Sequence, residues 1–264
     1  ERLLTPYFLH FLQQLRLNFF VIDEAHCVSE WGHEFREHYR GLSLLKERFP
    51  DTPIAAFTAT ATKVVEEDIA ENLRLRAPRR VRGSLFRSNL TIQAQHRIKD
   101  GRAQLLQFLK NHQNSSGIIY TLSRKQTESV AHFLQTKGIE AHPYHAGLST
   151  EEKNRTYKKF VEDRIQVVVA TIAFGMGIDK SNIRFVVHLS LPKTLEHYYQ
   201  EIGRAGRDGL DSETLLLFSA QDIVLQKSFI EALPDTPYKQ HAFDKLEAMV
   251  RFANSERCRH QSIA

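Results

Sequence analysis

Hydrophobic positions fall into two kinds of block, short continuous apolar runs and longer stretches with a helical period. Thr5-Pro6 supplies an N-cap and a first-turn proline for an amphipathic helix over residues 7–17. An apolar run at 19–22 follows, short and bounded by acids, which predicts a buried parallel strand. The pattern then predicts a polar and aromatic loop to residue 37, a helix at 37–49, a strand at 54–57, a helix at 62–73 and a third strand near Val81. A second series begins with a helix at 101–111 and continues with strands at 118–121, 139–144, 165–170, 185–189 and 214–218. Two of its intervening helices open with capping-box patterns, Ser123-x-x-Gln126 and Ser149-x-x-Glu152. From residue 221 the strands stop and two helical patterns follow, ending in Cys258-Arg259-His260.

Strands alternating with helices predict an α/β fold of parallel sheets covered by helices, with ligands at the carboxyl ends of the strands. Three strands make a poor sheet, so the first unit reads as incomplete at its N-terminus, whereas the second reads as complete. The expected domains are 1–85, 86–219 and a short helical segment at 220–264. The chain opens Glu1-Arg2-Leu3-Leu4, without an initiator Met, signal peptide or transit pattern, and is expected to start mid-domain.

Composition narrows this picture. The 264 residues are 42% apolar and 25% charged, without a low-complexity tract, which excludes disorder and predicts real cores. Two cysteines exclude a disulfide framework and fit a reducing cytosol. The most apolar stretch, 165–178, is too short and too polar for a membrane span, so a soluble protein is expected. Residues 79–102 hold seven Lys/Arg against Asp100 alone, a basic stripe that hints at phosphate backbones.

Candidate chemistry lies at both ends of the chain. The first strand runs into Asp23-Glu24-Ala25-His26, where one carboxylate can hold Mg²⁺ and its neighbour can polarise an attacking water. An isolated acidic pair more often only caps a strand end. The stretch Gln200-Glu201-Ile202-Gly203-Arg204-Ala205-Gly206-Arg207-Asp208-Gly209 decides between these readings. Two arginines three apart, among glycines that let backbone approach phosphate, suit charge developing on a γ-phosphate. Acids in one lobe and arginines in the other predict a site assembled at their interface, whose closure couples ATP to motion. After the acids, Trp31, Phe35 and Tyr39 alternate with His33, Arg36 and His38, and aromatic faces beside cations suit stacking on unpaired bases. A zinc-hydrolase reading fails on spacing, because His33 and His38 lie about 140° apart around a helix. The remaining histidines, His145 among them, are read as hydrogen-bonded structural residues, and Cys27 as packed beside the strand.

Seven stretches in order resemble the RecQ family of superfamily 2 DNA helicases over the whole chain. They are Asp23 to His26, the loop that follows, Thr58-Ala59-Thr60-Ala61, Gly117-Ile118-Ile119-Tyr120, Tyr144-His145-Ala146-Gly147-Leu148, the run from Val169 to Ile178, and Gln200 to Gly209. The resemblance implies two RecA-like doubly wound lobes that use ATP to move 3′ to 5′ along single-stranded DNA and unwind forks in repair and recombination. It implies that Asp23 organises Mg²⁺, that Glu24 activates water, that His26 with Thr58 and Thr60 relays the nucleotide state between the lobes, and that Thr58 and Thr60 are among the DNA-binding residues. Arg207 resembles the arginine finger, with Arg204 and Gln200 around the phosphates, and Gly175, Gly177 and Asp179 belong to the nucleotide-binding elements. Trp31, His33, Phe35 and Arg36 lie in the loop that is similar to the family's DNA sensor. The chain departs from that loop's usual residues at Glu37, where proline is common, and at Glu30, where glutamine is. Cys258 matches the first of four zinc-binding cysteines, so Zn²⁺ is expected in a longer parent and not here. No G-x-x-x-x-G-K-[ST] phosphate loop occurs in the 264 residues, so the chain alone is expected to have little ATPase. The implied setting is the bacterial nucleoid, as a monomer that meets single-stranded-DNA-binding and repair proteins. Two rivals remain at this point: a non-catalytic nucleic-acid-binding module, and an RNA helicase of the DEAH group.

Overall fold

The structure, a computed structural model, describes residues 2–32, 35–175 and 178–263. The chain divides into two compact units. The first comprises 1–83 with 236–241, the second 84–235 with 242–264.

In the first unit α1 (Pro6–Gln13) precedes β1 (Phe20–Ile22), which pairs in parallel with β2 (Ile54–Ala56). Between the strands lie the short helices α2 (Glu37–Arg40) and α3 (Leu44–Arg48), and α4 (Lys63–Asn72) follows. Thr62 caps α4 by accepting the Val65 amide, as its N-cap position demands. Thr5 precedes Pro6 as expected, but its hydroxyl donates to the Arg2 carbonyl, and α1 ends four residues earlier than its pattern predicts. The helix predicted at 37–49 is broken by a 3-10 turn at Gly41–Ser43. The strand predicted near Val81 is not formed: Val81 is exposed in irregular chain, where its side chain has no core to enter. The core of this unit is small, formed by Ile22, Ala25, Val28, Val65, Ile69 and Leu73.

The second unit is built on six parallel strands in the order β3-β8-β7-β4-β6-β5. They are β3 (Leu90–His96), β4 (Ser116–Tyr120), β5 (Ala141–Tyr144), β6 (Val167–Ala170), β7 (Ile183–His188) and β8 (Ser212–Phe218). Their connections carry α5 (Arg102–Leu109), α6 (Arg124–Gln135), α7 (Thr150–Val161) and α8 (Leu195–Ile202). After β8 the chain is helical: α9 (Ala220–Glu231), α10 (Pro237–Asn254) and α11 (Arg259–Ile263), one helix more than its periodicity predicts. The central strands β4 and β6 are buried along their whole length, as continuous apolar runs in a two-sided sheet must be. Alternate residues feed two cores. Ile118, Val168, Val186 and Leu216 pack with Phe160 of α7, Tyr198 and Ile202 of α8, and Leu246, Met249 and Phe252 of α10. Ile119, Val169, Val187 and Leu215 pack on the opposite face with Leu105 and Phe108 of α5 and Val130 and Leu134 of α6.

Of the two capping boxes, Ser149–Glu152 forms in full, whereas Gln126 accepts from Leu122 and leaves its box half made. The basic stripe does not survive as a stripe. Arg97, just after β3, is half-buried and grips Asp222 of α9 with both guanidinium arms at 2.7 and 2.9 Å, with Ser219 as a further acceptor. Arg87 turns inward onto backbone carbonyls, Arg82 pairs with Glu66, and Arg102 pairs with Asp100. Arg79, Arg80 and Lys99 are exposed.

Gly117 in β4 lies under Phe185 of β7, and a Cβ there would sit 2.1 Å from the ring. Phe185 is itself wedged against Phe108 and His112, so it has no room to withdraw. Gly117→Ala is therefore expected to destabilise this unit by about 2–3 kcal/mol. Thermal denaturation by circular dichroism would register it as a drop of several degrees in Tm.

Candidate active site

The acids stand at the carboxyl end of β1. The Asp23 carboxylate is exposed, and its Oδ1 accepts the Glu24 amide at 2.8 Å. Glu24 has a left-handed backbone (φ 49°), a strained state for a residue with a side chain and one that clusters at functional positions. The next residue enters a buried 3-10 turn, Ala25–Val28, tied to β2 by the Ala25 amide on the Phe57 carbonyl. His26 is fully buried at the centre of this turn. Its Nδ1 lies 3.0 Å from the Thr58 hydroxyl and 3.4 Å from Glu24 Oε2, and Cys27 Sγ is 3.7 Å from its Nε2. The Thr58 hydroxyl also accepts the Thr60 amide at 3.2 Å. Glu24, His26, Thr58 and Thr60 are thus one connected cluster. An exposed carboxylate at a strand end, with one oxygen occupied by an amide, suits Mg²⁺, which takes one or two carboxylates and completes its shell with water and phosphate.

Trp31 and Phe35 are each 38% exposed on the loop after the turn, unusual for large aromatic rings. Trp31 meets His241 edge to face at 5.5 Å, and the Arg40 guanidinium lies over Phe35 at 5.3 Å while pairing with Glu30. The Arg36 amide is fixed on the Cys27 carbonyl, and Tyr39 packs into the small core. Burial raises the Tyr39 phenol above its usual range. His33 lies outside the described residues, as does Gly177.

In the second unit Gln200 sits half-buried in the last turn of α8, and the loop beyond carries the arginines. Arg204 is buried, and its Nε has no hydrogen-bond partner among the described residues. Arg207 is exposed along its length while its guanidinium donates to the Ile178 carbonyl at 2.9 Å. Desolvation and then the nearby Arg204 charge lower its pKa, and the exposed Asp179 works weakly against them. Two guanidinium groups close enough to repel, one with an unpartnered buried donor, are an arrangement that suits an anion. Gly175 lies beside them: a Cβ there would fall 2.9 Å from the Ile172 carbonyl and 3.9 Å from Arg204 Nη2.

Behind the arginines lies a polar cluster that sequence reasoning missed. His188, at the end of β7, contacts Glu201 at 2.7 Å, with both side chains buried. Tyr120 stacks on His188 at 5.1 Å and donates its hydroxyl to the Phe174 carbonyl. Burial drives the Tyr120 phenol far up, so it acts as a neutral donor beside Arg204. The signal available was a glutamate on the apolar face of α8, next to Tyr198 and Ile202. His145 has the structural role expected of it, buried, with Glu128 at 3.1 Å and the Gly147 amide on its other nitrogen. Cys27 is fully buried, as expected, beside His26.

Cys258 is an exposed thiol, and its carbonyl accepts from Ser262. Among the described residues no cluster of three or more His, Cys, Asp or Glu side chains can hold a metal ion. Among the described residues no helix is long and apolar enough to cross a membrane.

Helix-covered parallel sheets with acids at a strand end and arginines after a helix define a RecA-like helicase class of fold. A solved structure of the same fold is Saccharomyces cerevisiae Dbp5 bound to RNA and ADP BeF3, with a TM-score of 0.62 and 20% identity over 94% of this chain and 62% of that one. Three family descriptions match in order: DEAD/DEAH box helicase over 2–68, helicase conserved C-terminal domain over 100–209, and RecQ zinc-binding over 220–264. The ATP-dependent DNA helicase RecQ of Pasteurella multocida is 44% identical over 98% of this chain and 41% of its own length. The protein of the same name from Bacillus subtilis is 41% identical over 100% of this chain and 44% of its own. The chain belongs to the RecQ helicase family and spans less than half the length of these relatives.

Proposed function

We propose that this chain carries the hydrolytic and DNA-contacting elements of an ATP-dependent DNA helicase that moves 3′ to 5′ on single-stranded DNA. The observation that carries the reading is the buried Arg204 beside Arg207, two like charges close enough to repel and suited to a dense anion such as a triphosphate. The names of the Pasteurella and Bacillus relatives agree with it.

In this reading Glu24 accepts a proton from the attacking water. Its contact with buried His26, and through it with Thr58 and Thr60, passes the state of the nucleotide into the adjoining loop. Arg207 stabilises charge developing on the γ-phosphate, with Arg204, Gln200, Gly175, Gly177 and Asp179 around the phosphates. Asp23 holds the divalent cation, which supplies neutralisation of phosphate charge. Trp31 and Phe35 offer ring faces to unpaired bases, with Arg36 and His33 towards the backbone. The domains run 1–85, 86–219 and 220–264, and the protein works on forked DNA in repair and recombination, as a monomer in the bacterial nucleoid alongside single-stranded-DNA-binding and repair proteins. The chain alone, without a phosphate loop, hydrolyses little ATP.

Fork unwinding by the full-length gene product tests this. With ATP and Mg²⁺ it is expected to separate a duplex bearing a 3′ single-stranded DNA tail and to leave a 5′-tailed duplex intact. Unwinding of 5′-tailed DNA alone would refute the direction. Unwinding of RNA duplexes alone would favour the RNA-helicase reading.

A further inference from the structure

The loop that carries Arg204 and Arg207 is poorly suited to hold them by itself. It contains Gly203, Gly206 and Gly209, the last two with positive φ (62° and 85°), and glycine backbone of this kind surrenders the most freedom on ordering. Its two arginines also repel one another. The constraint comes from more than a hundred residues upstream, in the connector just before β3. Arg87 sends one guanidinium arm to the Gly203 carbonyl at 3.2 Å and another to the Gly206 carbonyl at 2.6 Å. Asn89 donates from its single amide nitrogen to the carbonyls of Gly206 and Leu210, each at 2.9 Å. The connection is reciprocal, since Tyr199 of α8 donates its hydroxyl to the Leu85 carbonyl at 2.8 Å. The fit is also steric: a Cβ on Gly206 would fall 2.6 Å from Asn89 Nδ2.

Arg87 is placed against its own electrostatic interest. It adds a third cation beside Arg207 and helps to lower the Arg207 pKa. The compensation is geometric, because Gly203 is the C-cap of α8 and its carbonyl stands at the negative end of that helix, where a cation satisfies an orphan acceptor. A residue that tolerates like-charge repulsion while bonding the backbone on either side of Arg204, the second bond immediately before Arg207, is fixing where the two arginines point.

We infer that Arg87 and Asn89 are positioning residues for the phosphate-contacting arginines, acting on the Gly203 to Leu210 backbone and not on the nucleotide. The inference rests on the assignment of Arg207 made above. Small displacements of a group that acts on a transition state are costly, about a hundredfold for 1 Å. Asn89→Ala, which removes both carbonyl contacts while leaving every charge in place, is expected to lower kcat for DNA-stimulated ATP hydrolysis about tenfold to a hundredfold. The KM for ATP and the affinity for single-stranded DNA are expected to stay within a factor of about three. Arg87→Lys, which keeps the charge and loses the two-armed grip, is expected to show the same pattern in weaker form.

The experiment is a double-mutant cycle in the full-length gene product with Asn89→Ala, Arg207→Ala and both together, reading kcat, KM and Tm. The expected result is that Asn89→Ala lowers kcat in the wild-type background and has no further effect once Arg207 is gone. Equal loss in both backgrounds, or a fall in Tm with kcat untouched, would overturn the positioning role. Should Asn89→Ala fail to fold, Arg87→Lys takes its place in the same cycle. The parent assignment fails separately, by Arg207→Ala leaving hydrolysis unchanged.

Discussion

Arg207→Ala is expected to reduce DNA-stimulated ATP hydrolysis by the full-length gene product about a thousandfold, with binding of single-stranded DNA retained. The size follows from the position of the group. An arginine that meets a phosphoryl group only as charge builds on it contributes to the transition state and little to the ground state, so its loss falls on kcat. The structure prepares Arg207 for this. Its guanidinium is anchored on the Ile178 carbonyl, and desolvation of that group followed by the charge of Arg204 leaves it short of counter-charge, with Asp179 and then Tyr120 opposing. A phosphate relieves both deficits. Arg207→Lys restores charge without the planar fork, and is expected to recover only a small part of the rate. Phosphate release at saturating DNA measures the effect. A fall of less than about threefold would remove Arg207 from the chemistry.

Glu24→Gln is expected to cost about a thousandfold in hydrolysis as well, by a different route. Glutamine keeps the shape and can keep a hydrogen bond near His26, but cannot accept a proton from water. The left-handed backbone at Glu24 is held by the Ala25 amide bond to Phe57 and by the buried turn beyond, so the substitution leaves the turn in place. Affinity for single-stranded DNA and for ATP is therefore expected to persist. This variant separates a helicase from a binding module that retains the DNA face. In the helicase hydrolysis disappears while binding stays, whereas in the module there is no hydrolysis for Glu24→Gln to remove.

The central strands were legible because burial on both faces writes itself into the sequence as unbroken apolar runs, and β4, β6 and β7 stand within two residues of their predicted positions. The edge strand β3 was not read, although Leu90, Ile92 and Ala94 alternate with polar residues as a half-buried strand should. The arginines around it give the segment the pattern of a basic stripe, which masks the alternation. Charge along a sequence does not reveal direction, and Arg87 and Arg97 point inward to partners 116 to 125 residues away. The same limit hid the cluster of Tyr120, His188 and Glu201, which three separate elements bring together. The pattern at 37–49 was helical throughout, but Gly41 lies in a 3-10 turn that splits it. The linked group of Glu24, His26, Thr58 and Thr60 shows the converse. Motif resemblance linked His26 with Thr58 and Thr60, and parallel pairing of β1 with β2 explains why these segments meet, since both leave the sheet at the same end.

The measurement that tests the central claim most directly is steady-state ATP hydrolysis by the full-length gene product, with and without single-stranded DNA. The account predicts Mg²⁺-dependent hydrolysis that rises at least about tenfold when DNA is added and is abolished by Arg207→Ala. DNA binding with no hydrolysis, or hydrolysis indifferent to both DNA and Arg207, would contradict it.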